Sequence, residues 1–509
     1  MRTLLIPLSF SLVVIISCTS TRVPANDGII DITFIQMNDV YEIAPLEGGK
    51  SGGMARVAHL KKEMLKKDPN TMLVMAGDFL SPSVFNSLKV NGERVRGKQM
   101  VDAMNAAGTD LAVFGNHEFD ISENEVQARI NESEFDWVST NTFHTSNGNV
   151  THFVKTRNGM SEPLPEMIIK TFRDADGTEA KVGFIGITLP FNKASYVSYS
   201  DPLSSAVKMY DRLKDSCDAI VAITHQLEAD DSILATRLPG LALIMGGHEH
   251  DMRHLKVNGV EITKAHANLK TVFINTLSIN KNEKTKKVST RLLEINETIP
   301  FEDETNRRVE AWTKMASENF AGLGFNASRV VASSLDPLDG REAEIRTRPT
   351  QFTRYIVKAM EAAAPQSDVA IVNSGSIRVD DILYMPVTEY DIIRSLPFGG
   401  GIVEVDMEGV LLKRILNSSE QNKGIGGYLH YSERISKVNG EWLLDTKPID
   451  NKKIYRVALT DFLITGGEAN MDYLKKDNPS VIKVHPVITD LKDPRSDIRL
   501  AIIRYLEKL

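Results

Sequence analysis

The chain has 509 residues, 60 Lys+Arg against 67 Asp+Glu, 42% hydrophobic residues and two cysteines. Its length allows roughly two to four domains of about 100–200 residues, and its ordinary apolar and charged fractions exclude wholesale disorder. A net charge of −7 leaves no basic excess to neutralise a nucleic-acid backbone, which argues against duplex binding, and two cysteines exclude a disulfide-rich scaffold or a Cys-rich zinc module.

The first 18 residues stand apart. Arg2 gives a small positive start, and Leu4 to Ser17 is apolar apart from Pro7, Ser9 and Ser11. That run is shorter than a membrane span of about 20 residues and reads as the core of a secretory signal. It ends in Ser17-Cys18 before polar Thr19-Ser20-Thr21, which resembles a bacterial lipoprotein signal with Cys18 as the lipidated residue. The expected division is a signal at 1–18 and a tether at 19–28, placing the protein at the bacterial cell envelope on a membrane lipid anchor. Cys217 is then the remaining thiol, expected to pack.

From Asp31 onward, short β-branched runs alternate with helical stretches. Ile32–Ile35, Met72–Met75 and Leu111–Phe114 predict strands, with helices over Met54–Lys67 and Gln99–Ala107 between them. Val182–Ile187, Ala219–Ile223 and Leu241–Met245 are further apolar runs of strand length, without the alternation of half-exposed strands. The class is α/β with layered helices. Glu302–Asn319 reads as a charged helix bridging two domains, and a second folded block follows with its own helix at Gln351–Ala363. The expected domains are 29–300 and 326–509, joined by 301–325.

Polar residues gather where the apolar runs stop. In chain order these are Asn38-Asp39, Gly77-Asp78, Gly115-Asn116-His117-Glu118-Phe119-Asp120, Thr224-His225 and Gly246-Gly247-His248-Glu249-His250. Ligands of α/β sheets collect beyond the carboxyl ends of strands. Oxygen and imidazole donors without thiolate suit Zn, Mn, Fe or Co. Glycines before Asp78, Asn116 and His248 are expected to supply sharp turns and close approach. Singly, each motif reads as well as a turn or a hydrogen-bonded histidine; five at successive strand ends do not.

Gly115–Asp120 and Gly246-Gly247-His248-x-His250, spaced this way after Asn38-Asp39, resemble the calcineurin-like metallophosphoesterases, and more narrowly the secreted 5′-nucleotidases, as does Gly52-Gly53-Met54-Ala55-Arg56. The resemblance implies a four-layer α/β/β/α sandwich with a second α/β substrate-binding domain and two divalent or transition metal ions bridged by Asp78. Asp39 and His250 would then belong to the first metal, and Asn116, His225 and His248 to the second. His117 would act on the phosphoryl group, oriented by Asp120. One position departs, because Tyr41 stands where the family carries a metal-ligating histidine. Tyr41 then ligates as phenolate, or water replaces it, or the site is degenerate.

In the second block, Asn373-Ser374-Gly375-Ser376-Ile377-Arg378 follows an apolar strand and reads equally as an anion site or as an exposed Arg after a turn. The resemblance makes Arg378 a phosphate ligand, with Arg354 as a second. It also makes Phe398 and Phe462, each better read as core when taken singly, a clamp for a nucleobase, with Glu468 in place of a ribose-binding aspartate. The implied activity is hydrolysis of nucleoside 5′-monophosphates. The rivals are a broader nucleotide phosphohydrolase, a sulfur-chemistry enzyme on the same scaffold and a non-catalytic nucleotide-binding lipoprotein.

Overall fold

A computed structural model of the protein describes residues 26–90, 92–191 and 194–509; the leader and Cys18 lie outside them. Two six-stranded sheets build the first half. One contains β1 (Ile29–Met37), β2 (Thr71–Ala76), β3 (Leu111–Val113), β4 (Asp136–Trp137), β11 (Thr271–Asn280) and β12 (Thr285–Glu294), in the order β12-β11-β1-β2-β3-β4. The other contains β5 (Met167–Arg173), β6 (Glu179–Thr188), β7 (Ala219–His225), β8 (Leu243–Gly247), β9 (Arg253–Val257) and β10 (Val260–Lys264), in the order β5-β6-β7-β8-β10-β9.

The inner parallel strands lack exposed alternation because both of their faces are covered. Ile30, Ile32 and Phe34 of β1 meet Val182 and Phe184 of β6 and Ile223 of β7 in one core between the sheets. The Phe34 and Phe184 rings cross edge to face there, 5.9 Å apart. The next residues along β1, Ile35 and Met37, point the other way, as a period of two requires, and pack with Val57 of α1 (Met54–Leu65), Met100 of α2 (Lys98–Ala106) and Val126 of α3 (Glu123–Glu132). Behind the second sheet, Ile185 and Ile220 pack against Met209 of α4 (Pro202–Leu213) and Leu234 of α5 (Glu228–Arg237). The result is the α/β/β/α layering that was expected.

Strands β1, β2 and β3 run parallel, as do β6, β7 and β8, so the carboxyl ends of each set share one edge. Helix α6 (Asp303–Gly322) buries Val309, Ala316 and Phe320, and its Trp312 Nε1 donates to Asp102 on α2 at 2.8 Å. Beyond it stand α7 (Gln351–Ala363), β13 (Val369–Asn373), α8 (Glu389–Ser395), β14 (Ile402–Glu408), α9 (Gly409–Gln421), β15 (Leu429–Tyr431), β16 (Ile454–Thr460), β17 (Val481–Val484) and α10 (Ile498–Leu506). The sheet β15-β13-β16-β14-β17 has α9 on one face, through Leu412 and Ile415, and α7 with α10 on the other, through Phe352 and Ile502.

Most element boundaries differ from expectation by one to three residues, and two of the differences bear on the loops. Helix α1 stops at Leu65, not Lys67, where the last turn tightens and the Lys67 N–H donates to the Met64 carbonyl at 2.9 Å. Strand β8 begins at Leu243 and runs through both glycines; Leu241 and Ala242 are buried by the approach to the sheet, not by the ladder. Cys217 is half-buried against the second sheet's outer core, as its apolar setting implied. Among the described residues, no helix is long and apolar enough to cross a membrane.

Candidate metal centre and substrate cleft

The sheet edge brings the strand-end residues of the first half together. Asp39, Asp78 and His225 are buried, and each offers a ligand atom within 4.8 Å of the others. The Nδ1–H of His225 donates to the Ala76 carbonyl at 2.8 Å, which leaves Nε2 as the ring atom turned to the carboxylates. That Nε2 lies 3.0 Å from Asp78 Oδ2 and 3.8 Å from Asp39 Oδ1, yet makes no aligned hydrogen bond. The buried Asn116 Oδ1 has no partner either. Buried acceptors converging without a donor are what a bound cation satisfies, and the mixed N/O donor set fits a divalent transition metal. His248 and His250 adjoin this cluster. The His248 ring lies 5.4 Å from that of His225, and His250 Nε2 is 3.2 Å from Asp39 Oδ1.

The charges are mutually supporting. Burial alone would raise Asp39 and Asp78, but His225 beside both, with His250 and His117, holds the two carboxyls below their ordinary range. Against its own burial, His225 is pushed up to about 9 by Asp78 and Asp39. Burial and the neighbouring His225 lower His248 to about 4, so it stays a neutral imidazole, the form that ligates.

Tyr41 sits inside the cluster. Its hydroxyl is 3.0 Å from His250 Nε2, 3.3 Å from Asp78 Oδ2 and 3.4 Å from Asp39 Oδ1. Burial, reinforced by Asp78 and Asp39, pushes its phenol well above the ordinary value of 10.0. The hydroxyl therefore keeps its proton and can donate it to the carboxylate pair, as Asn38 Nδ2 does to Asp39 Oδ2 at 2.7 Å.

The backbone of the ligand loops corrects one expectation. The left-handed conformation expected of glycines is adopted by Asp39 (φ 53°), Asp78 (φ 57°), His248 (φ 95°) and His250 (φ 58°) themselves. Of the glycines preceding Asp78, Asn116 and His248, only Gly77 has positive φ, at 80°. The others serve close approach, since a Cβ at Gly247 would stand 2.6 Å from the Ala76 carbonyl and 2.8 Å from His225 Nδ1. Sequence reasoning missed Glu118. Fully buried, it accepts the backbone N–H groups of Asp78 at 2.9 Å, Phe79 at 2.7 Å and Leu80 at 3.1 Å, tying the second and third ligand loops together.

His117 Nδ1 donates to Asp120 Oδ2 at 2.6 Å, so its Nε2 is left for other chemistry. Against burial, Asp78 and Asp120 raise its pKa. Both residues line a cleft of about 1160 Å³ between the halves, with His248 and His250 from the first and Arg346 and Arg378 from the second. Arg378 Nη2 stands 3.7 Å from Asp120 Oδ2, and its buried Nε has no partner.

The other residues of the second half lie elsewhere. Glu468 accepts from Asn373 Nδ2 at 2.7 Å, at the head of the turn that carries Arg378. Phe398 and Phe462 are 69% and 43% exposed, on loops joined where Gly401 N–H donates to Asp461 at 3.1 Å. Neither ring lines the cleft. Arg354 is not brought to Arg378. It pairs with Glu433 at 3.0 Å on another face of α7, where it lines a separate cavity of about 400 Å³. Two further contacts could not be read from the motifs, because they cross the domain boundary: Asp380 meets His250 at 2.6 Å, and Asp381 meets Lys270 at 2.6 Å.

Residues 32–252 match the family model of the calcineurin-like phosphoesterases, and residues 330–476 match that of the 5′-nucleotidase C-terminal domain. The chain belongs to the 5′-nucleotidase family of calcineurin-like phosphoesterases. It is similar to the 5′-nucleotidase of Bos taurus, 22% identical over 505 residues covering 86% of this chain and 83% of that protein. It is also similar to the trifunctional nucleotide phosphoesterase protein YfkN of Bacillus subtilis, 24% identical over 87% of this chain but only 32% of that longer protein. Among solved structures, a 5′-nucleotidase precursor from Thermus thermophilus matches with a TM-score of 0.67 at 21% identity, over 94% of this chain and 96% of that one. A sulfate thiohydrolase, SoxB, of the same organism shares the fold with a TM-score of 0.62 at 16% identity, over 95% and 94%. As a member of the family the protein is a metal-dependent phosphoesterase, a hydrolase using divalent cations.

Proposed function

We propose that the protein removes phosphate from nucleoside 5′-monophosphates. One observation carries this reading: His117–Asp120, set against the buried Asp39–Asp78–His225 cluster, faces an under-partnered Arg378 from the other half across one cleft. Asp39, Asp78, Asn116, His225, His248 and His250 would hold divalent cations, which when bound would supply Lewis acidity toward a phosphoryl group. Asp120 fixes the His117 tautomer, and His117 delivers a proton to the departing ribose oxygen. Arg378 holds the phosphate oxygens, and its bare Nε can add a second N–H to that contact. Phe398 and Phe462 lie outside the cleft in this arrangement of the halves; exposed on adjoining loops of the half that carries Arg378, they offer rings to a base, with Glu468 for the ribose.

A broader nucleotide phosphohydrolase is the second reading. The cleft volume of about 1160 Å³ favours it, being large for a monophosphate alone. Both readings are tested by phosphate release from AMP, a cyclic nucleotide and a nucleotide sugar, each with Mn, Zn, Co and Fe in turn. Turnover of AMP above the others supports the first reading. Turnover of the cyclic nucleotide or the nucleotide sugar above AMP supports the second, and AMP that binds while none of the three is turned over in any metal overturns both and leaves a nucleotide-binding protein. We further propose a cell-envelope location through lipid on Cys18, supported by the apolar leader; metabolic labelling with palmitate, lost in Cys18→Ala, is the expected result.

A further inference from the structure

The turn carrying Arg378 continues into Val379-Asp380-Asp381, two adjacent carboxylates that both reach across the cleft. Asp381 takes Lys270 at 2.6 Å, an ion pair that closes the two halves together. Asp380 does something different. Its Oδ2 accepts from His250 Nδ1 at 2.6 Å, while its Oδ1 accepts the Glu342 backbone N–H at 2.6 Å. The carboxylate is thus anchored on its own domain by one oxygen and points the other at an imidazole of the metal cluster. Asp380 holds this pose in a left-handed backbone conformation, φ 37°, which a non-glycine residue adopts only when its surroundings enforce it.

A carboxylate oxygen only accepts, so Nδ1 of His250 donates to Asp380, and Nε2 is the ring atom left to a metal. That Nε2 faces Asp39 Oδ1 at 3.2 Å and the Tyr41 hydroxyl at 3.0 Å. We propose that Asp380 is a positioning residue: from the substrate-binding domain it fixes the tautomer and ring orientation of His250, so that the first metal position is complete only when the two domains are apposed. This rests on His250 being a metal ligand. Metal affinity then becomes coupled to domain apposition, and the segment that presents Arg378 to the phosphate also tightens the metal centre beside it.

The test is Mn(II) titration of the metal-free full chain by calorimetry, without substrate, with thermal unfolding to confirm that each variant folds. Asp380→Ala is expected to weaken one of the Mn(II) sites by about 10–100-fold, the scale seen when a partner of a ligating histidine is removed. Asp380→Asn, which keeps an acceptor for Nδ1–H, restores most of that affinity. Asp381→Ala, which breaks only the Lys270 pair, leaves it within about threefold of wild type. Where the alanine variant does not fold, Asp380→Leu replaces it, being close in size and without an acceptor. Wild-type affinity in Asp380→Ala or Asp380→Leu overturns the proposal, as does an equal loss in Asp381→Ala, which would assign the effect to closure alone. His250→Ala separates the two levels. If it binds Mn(II) like wild type, the ligand reading itself fails; if it loses a site while Asp380→Ala does not, only the positioning role fails.

Discussion

His117 and Asp120 lie three residues apart on a single short turn, so their 2.6 Å contact is local and survives movement elsewhere. His117→Ala is expected to lower kcat by at least about 100-fold, the scale of lost acid–base help; a near-normal kcat with AMP would remove His117 from the reaction. Arg378 contacts the phosphate in ground and transition state alike, so Arg378→Ala is expected to raise KM with a smaller change in kcat. Tyr41 decides the metal count. Its hydroxyl is placed among Asp39, Asp78 and His250 as a ligand or as a proton donor to a lone carboxylate pair. Elemental analysis is expected to find two metals per chain, and a value near one would assign Tyr41 to the site of the missing ion.

At the scale of elements, the ligand loops are as short as the chain permits, each turning within a few residues of its strand. Gly247 shows how little room is left. A methyl group there meets the Ala76 carbonyl at 2.6 Å and Asp39 Oδ2 at 3.0 Å. Gly247→Ala is expected to reduce stability by about 1–3 kcal/mol, the range for overpacking, and to lower metal occupancy, checked by urea unfolding and metal analysis. These loops were legible in the sequence because the runs before them are apolar and uninterrupted, which marks a strand covered on both faces and fixes where it ends. Layering was legible from the same runs. Asp380 was not, since nothing within β13 or its turn says which residue of another domain it will meet. Glu118 was hidden in plain view, an acid inside a motif read for its neighbours, whose partners are backbone N–H groups distant in sequence. Arg354 misled for a related reason: a helix position gives the residue type but not the face, and α7 turns Arg354 toward Glu433.

The whole molecule carries its charges at a price set by burial. Asp39 and Asp78 are buried at the edge where their strands end, and a cation that binds only the folded chain stabilises it by mass action, about 4 kcal/mol at a thousandfold excess over Kd. Chelation is therefore expected to lower Tm by several degrees and Mn(II) to restore it; an unchanged Tm would mean the cluster holds no ion tightly. In the other domain, burial depresses His430 to about 4. The unfolded chain takes that proton below about 6.5 while the folded chain refuses it until about 4, so this residue's share of stability falls as pH drops through that window, by up to about 3 kcal/mol. His430→Leu is expected to flatten the decline in urea midpoint between those values. The left-handed backbones of Asp39, Asp78, His248 and His250 have a further outcome. Each non-glycine residue held there costs on the order of 1 kcal/mol, a strain that glycine would relieve and that the bound cation more than offsets. Selection for heat resistance alone is then expected to keep these four residues when metal is supplied and to lose them under a chelator: in this architecture the ion decides whether durability and chemistry agree.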